Sequence, residues 1–169
     1  YVRRNKTDAA DADALVRARR DPDLKPVPVK SVDQQALQGL HRIRQQWVAT
    51  RRQRITLARG LLAEFGLSLP TGASGIVARL HAVIDRVPGV LVSGLTPIID
   101  EIGSLEARIK QLDRQLTTIA KTNLDAQHLM SIPGVGVIIA TALVGSVADI
   151  RIFKRARQFA AWLGLTPRD

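Results

Sequence analysis

Asp8 and Asp11 stand three residues apart in Lys6-Thr7-Asp8-Ala9-Ala10-Asp11-Ala12-Asp13. On a helix that spacing puts two carboxylates on one face, with Cβ atoms ~5–6 Å apart. Ala12 and Leu15 continue the same face, so the acids line up with a stripe expected to be buried. Two un-neutralised acids at the edge of a core repel each other, and a divalent cation relieves that repulsion. Hard oxygen ligands suit Mg²⁺, which takes one or two carboxylates together with waters and phosphate oxygens. A second reading needs no metal: acids in the first turn of a helix complement its macrodipole.

Two further constellations are built for anions. Ile132-Pro133-Gly134-Val135-Gly136 lies between two apolar segments with helical patterning. Pro133 stops the first segment, and the glycines open backbone conformations closed to other residues. Gly134, Val135 and Gly136 would present bare N–H groups to a phosphate, as in a helix-hairpin-helix, a module that grips nucleic-acid backbone. A Pro-Gly-x-Gly turn joining ordinary core helices is the alternative. The other constellation is cationic. No acid occurs between Asp33 and Glu64, whereas Arg42, Arg44, Arg51, Arg52, Arg54 and Arg59 all fall there. Arg51 and Arg54 project on nearly the side of Trp47, within an apolar stripe. A buried unpaired charge costs several kcal/mol, so either acids on a neighbouring helix or phosphates must meet them. Arg44, Arg51, Arg52, Arg54 and Arg59 are the nucleic-acid candidates.

Composition narrows the chemistry. The 169 residues hold 25 Lys+Arg against 15 Asp+Glu, a net charge of +10, which points to a polyanionic partner, nucleic acid before membrane. The absence of cysteine excludes disulfides, thiolate zinc sites and cysteine catalysis. His41, His81 and His128 lack ligand spacing. With three Phe, two Trp and one Tyr, stacking platforms for single strands are poorly supported, and backbone contact is favoured. No apolar run reaches 18 residues and no signal peptide is visible, so a soluble, cytoplasmic protein is expected.

The elements that must position these groups read as helices. A first helix runs to about Arg20, with Asn5 or Thr7 as N-cap, and a linker containing Pro22, Pro26 and Pro28 follows. Ser31 and Gln34 form a capping box opening a helix expected to reach Phe65, closed by Gly66. A short helix over 76–87 ends at Pro88-Gly89. The next is expected to start with Thr96 as cap and Pro97 at its first position. From there Ile98, Ile102, Leu105, Ile109, Leu112, Leu116 and Ile119 form a heptad seam, either between chains or folded back on the arginine helix. After the glycine turn come a tight apolar helix over 137–147 and a last helix through Trp162, stopped by Gly164. The expected class is mainly α. The expected order is residues 1–21, a linker at 22–30, a helical region at 31–123, and a unit containing the hairpin at 124–169.

Lys6-Thr7-Asp8-Ala9-Ala10-Asp11-Ala12 resembles the K-x-D-x-x-D-A signature that closes the RuvC-like (RNase H-like) nuclease domain of IS-one-ten family insertion-sequence transposases. In that family a DEDD domain precedes a helical, coiled-coil region and a C-terminal transposase domain opening with Ile-Pro-Gly-Val-Gly. Val27-Pro28-Val29-Lys30-Ser31, Leu61-Leu62-Ala63-Glu64-Phe65-Gly66 and the run from Gln158 through Gly164-Leu165-Thr166-Pro167-Arg168 match in order. The resemblance implies that Asp8 and Asp11 are the last two acids of the tetrad and bind Mg²⁺, with the first two acids before Tyr1. It also implies a catalytic serine after Asp169, and none of the serines present matches that position. It implies cut-and-rejoin DNA recombination guided by a structured RNA, by a homo-oligomer associated with the nucleoid. A non-catalytic helical module that binds nucleic acid through the hairpin is the alternative.

Overall fold

The computed structural model describes residues 7–22, 24, 27–72 and 74–165. Among them all regular structure is helical: α1 (Asp8–Arg20), α2 (Val32–Ala63), α3 (Ile76–His81), α4 (Gly89–Thr122), α5 (Leu124–Met130), α6 (Val137–Ser146) and α7 (Ala156–Trp162), with 3₁₀ turns at Ile84–Arg86 and Ile150–Ile152. Asn5, Lys6, Pro26 and the Thr166-Pro167-Arg168 end of the last matched run lie outside the described residues. No helix of the described residues is long and apolar enough to cross a membrane. The chain divides into two compact units, Ser31–Val147 and a second formed by Tyr1–Lys30 with Ala148–Asp169.

In the unit Ser31–Val147, α2 and α4 form an antiparallel hairpin. Arg44, Arg51 and Arg54 pair with Asp113, Glu106 and Glu101 in turn, so numbers falling along α4 meet numbers rising along α2. The α4 seam is therefore used inside the chain: Ile102, Leu105, Leu112 and Leu116 are buried while α4 packs on α2. One end of the hairpin is an aliphatic core where Ile55, Ala58 and Leu62 of α2 meet Ile76 and Leu80 of α3 and Leu95, Ile99 and Ile102 of α4. At the other end Ala120, Ala126 and Ala140 make a small-residue contact that brings α4, α5 and α6 together.

Helix ends differ from the sequence reading at three places: α2 stops at Ala63 rather than Phe65, the helix expected over 76–87 is α3 to His81 followed by the 3₁₀ turn Ile84–Arg86, and α4 starts early. Ser31 Oγ accepts from Gln34 N and Gln34 Oε1 accepts from Ser31 N, completing the capping box. Helix α2 ends at Ala63, and Gly66 at φ +73° lets its own N–H reach Ala63 O and Leu67 N–H reach Leu62 O, the paired bonds of a Schellman turn. Helix α4, however, starts at Gly89 behind Pro88 rather than at Thr96, so Pro97 lies inside it. Thr96 Oγ1 donates to Val92 O within the helix instead of capping it. The apolar residues Leu91, Val92 and Leu95 explain the extension, because they pack on the α3 core and hold the helix through the proline.

In the other unit, Thr7 caps α1 by accepting from Ala10 N. Helix α1 buries none of its residues, and Leu15 is 72% exposed; the stripe expected to be covered is open among the described residues. Phe153, Phe159 and Trp162 pack on one another with ring centroids 5.2–6.0 Å apart, and Gly164 at φ +75° terminates α7.

Candidate functional site

Asp8 and Asp11 both lie exposed in the first turn of α1, one turn apart, as the spacing requires. Asp13 on the same helix is paired with Arg17 at 2.8 Å and is committed elsewhere. No group of three or more potential metal ligands occurs among the described residues. Two exposed carboxylates on one face match part of the oxygen set that Mg²⁺ takes, and the rest must come from waters, phosphate or other acids. The residues present thus fit such an ion as a partial site.

The arginines of α2 are distributed differently from an open phosphate track. Arg44 is held by Asp113 through two bonds, Nε to Oδ1 at 2.6 Å and Nη2 to Oδ2 at 3.3 Å. Arg51 Nε reaches Glu106 Oε1 at 3.0 Å, and Arg54 Nε reaches Glu101 Oε2 at 2.6 Å. The hydrogen bond and charge of Glu101 raise the Arg54 pKa further. Acids on a neighbouring helix, one of the two readings left open by the sequence, meet all three side chains. Arg59 donates through Nη2 to the carbonyls of Pro70 and Gly72, tying down the loop after α2. Arg52 remains exposed, as does Arg42. Arg44, Arg51, Glu106, Lys110 and Asp113 line a groove of about 430 Å³.

The glycine turn is exposed at Pro133, Gly134 and Gly136. Gly134 adopts φ +88°, a conformation that favours glycine, and Val135 N–H closes the turn on Ile132 O at 3.0 Å. Helix α6 then starts at Val137 with its first-turn N–H groups directed at the turn, as helix geometry dictates. Val135 and Val137 pack into the small-residue contact of α5 and α6, which fixes the turn on the helical hairpin.

Three residues with structural roles at this site carried weak sequence signals. Gln34 Nε2 donates to Val144 O at 3.1 Å and Val147 O at 2.8 Å, satisfying C-terminal carbonyls of α6 while its Oε1 caps α2. His41 Nε2 lies 3.0 Å from Thr141 Oγ1, whose hydroxyl donates to Val137 O at 2.7 Å. Burial, then the neighbouring Arg44 charge, lowers the His41 pKa, so the neutral ring with a proton on Nε2 fits this contact. Gly145 lets α6 approach α2 closely, since a Cβ there would lie 3.2 Å from Gln38 N. Only the capping half of the Gln34 role is visible in a local pattern.

Comparison with known proteins follows the same order along the chain. The profile described as "Transposase IS116/IS110/IS902 family" matches residues 126–169, covering the glycine turn, α6 and α7. A DEDD transposase profile of the same family matches residues 1–66, covering α1 and α2. A Pseudomonas aeruginosa protein named "Probable family 20 transposase" is 40% identical across all of this chain and 52% of its own length. The transposase for insertion sequence element IS1111A of Coxiella burnetii is 37% identical, over the whole chain and 48% of its own length. The corresponding IS1328 protein of Yersinia enterocolitica is 34% identical, over the whole chain and 51% of its own length. The chain thus spans about half the length of the curated relatives it matches. No solved structure matches it. With two profiles of one family at its two ends and transposases aligned along its full length, the chain belongs to the IS116/IS110/IS902 transposase family.

Proposed function

We propose that the chain is the middle portion of an enzyme that cuts insertion-sequence ends and target DNA and rejoins them. The observation that carries the reading is the ordered match of a DEDD transposase profile over α1 and a transposase profile over the glycine turn. In this reading residues 1–21 close a RuvC-like domain, 22–30 link it, 31–123 form the helical middle and 124–169 open the second transposase domain. Asp8 and Asp11 supply half of an acid tetrad and hold Mg²⁺, which when bound supplies charge stabilisation at a scissile phosphate. Their exposure in one turn of α1 supports that role. The nucleophilic serine lies outside this chain, so the chain alone does not cleave DNA. Gly134, Val135 and Gly136 hold nucleic-acid backbone as a helix-hairpin-helix does, with Arg52 as an exposed cation of α2. Arg44, Arg51, Arg54 and Arg59 would serve the same partner chiefly by fixing the frame, since each is already engaged. A structured guide RNA and a homo-oligomer complete the proposal.

The test is made in the full-length protein. Asp8→Asn and Asp11→Asn should each reduce recombination of a plasmid-borne element by at least ~10²-fold, the scale of loss of an electrostatic catalytic group, with nucleic-acid binding unchanged. Recombination at wild-type rate in either variant would remove these acids from the site.

A further inference from the structure

Charge along the α2–α4 hairpin is divided unevenly between its two halves. In the half made of residues 51–66 and 89–106, four cations (Arg51, Arg52, Arg54, Arg59) face four acids (Glu64, Asp100, Glu101, Glu106). In the half made of residues 32–50 and 107–122, six cations (Arg42, Arg44, Arg108, Lys110, Arg114, Lys121) face two acids, Asp33 and Asp113. Asp113 is itself spent on Arg44. Most of the arginines singled out by the acid-free stretch of α2 therefore lie in the neutral half, while the surplus lies on α4.

On α4 that surplus is ordered. Lys110, Arg114 and Lys121 are all exposed. At 100° per residue they fall within an arc of about 40°, on the side opposite the buried Leu112 and Leu116, over a rise of ~16 Å. The glycine turn belongs to the same half: α6 is bonded to Gln34 and His41 of α2, and Ala120 of α4 packs with Ala126 and Ala140. Only Asp125 of α5 adds an acid there. No Phe or Tyr occurs in residues 34–50 or 107–122, and Trp47 is half-buried, so the surface offers charge without a stacking platform. Self-association through this half would set six cations against six, which argues for a polyanion as occupant.

We infer that Lys110, Arg114 and Lys121 on the outer face of α4 form a track for the backbone of double-stranded DNA. The inference rests on the nucleic-acid reading proposed above and moves its principal cationic contacts from α2 to α4.

The test compares the 169-residue chain with two triple variants of equal charge, measuring binding to a non-specific DNA duplex by fluorescence anisotropy across a salt series. Lys110→Gln/Arg114→Gln/Lys121→Gln should lower the slope of log K against log salt by about 2.7, since each duplex phosphate contact contributes about 0.9. By the same relation affinity should fall about 100-fold near physiological salt. Arg79→Gln/Arg86→Gln/Lys154→Gln, which removes three exposed cations of α3, the following 3₁₀ turn and the stretch before α7, should change the slope by less than about 1. Circular dichroism of both variants checks that the helices persist. Equal losses in the two variants, or none in either while the wild type binds, would overturn the α4 track and leave the nucleic-acid reading standing. Preference of the wild type for an RNA hairpin or a single strand over the duplex would overturn the assignment to DNA. Absence of binding by the wild type at low salt would overturn both.

Discussion

Replacing Gln34 with Glu reports on the α2–α6 clasp with a change of sign. At the start of an isolated helix Gln34→Glu would be neutral or favourable. A carboxylate completes the same capping box with Ser31, and a negative charge near the N-terminus is worth ~0.3–1 kcal/mol. Here the side-chain amide also donates to Val144 O and Val147 O at 3.1 and 2.8 Å. A carboxylate cannot donate, so two hydrogen bonds worth ~0.5–1.5 kcal/mol each are lost, and negative oxygens then face two carbonyls in a partly buried site. The losses exceed the gain, and we expect Gln34→Glu to destabilise the chain by about 1–3 kcal/mol.

Urea unfolding at neutral pH, followed by far-ultraviolet circular dichroism, measures the effect. Ser31→Ala serves as a control that removes the cap and spares the clasp, at a cost of ~0.5–2 kcal/mol. Gln34→Met removes the clasp together with the side-chain half of the capping box, leaves Ser31 Oγ accepting from the residue-34 N–H, and should also destabilise the chain. If Gln34→Glu leaves the unfolding midpoint unchanged or raises it, the side chain is only a cap and the clasp to α6 contributes nothing.

The internal seam predicts that Leu105→Lys, at a position 5% exposed, abolishes cooperative unfolding by burying a charge at ~3–5 kcal/mol; sedimentation showing a well-folded monomer produced from a wild-type dimer would instead place the seam between chains. Gly145→Val should cost about 1–3 kcal/mol by overpacking, because its Cβ would meet the backbone of Gln38 at 3.2 Å; an unchanged unfolding midpoint would show that α6 is free to shift. His41 has a lowered pKa in the folded chain, so below its ordinary value of 6.5 the unfolded chain binds more protons and stability falls as pH drops. The pH dependence in that range should flatten in His41→Gln, and an identical profile would assign the loss to other groups.

How much of this was legible in sequence depends on the range of the interaction. The capping box at Ser31 and Gln34, the stop at Gly66 and the turn at Gly134 are local, each set within a few residues, and each forms as read. Pro97 misled because a proline near an apolar run has two compatible places, the first turn or the helix interior. Only the packing of Leu91, Val92 and Leu95 on α3 decides between them. At the candidate site the acids Asp8 and Asp11 come out on one exposed turn, as three-residue spacing demands. Their expected apolar support is open, because Leu15 finds no cover among the described residues. The arginine partners were half-visible. Arg44 and Arg51 are seven residues apart, and so are Glu106 and Asp113, a spacing that brings opposite charges into register on antiparallel helices. The clasps of Gln34 and His41 join residues about a hundred positions apart and left no periodic trace.

Net charge identifies a class of partner, whereas pairing decides which charges remain to meet it. Arginines inside an apolar stripe must be neutralised before a helix can pack, and Glu101, Glu106 and Asp113 do so at 2.6 Å or closer. Partly exposed pairs of this kind add little stability, on the order of 1 kcal/mol or less each. Their larger effect is on register: a shift of α4 by one turn would strand three arginines against apolar neighbours. Register in turn fixes which face of α4 looks outward, and that face carries Lys110, Arg114 and Lys121. The same register sets Ala120 against Ala126 and Ala140, which holds the glycine turn on the basic half of the hairpin. The ion pairs thus consume the charges most conspicuous in the sequence, and in doing so orient the ones left over.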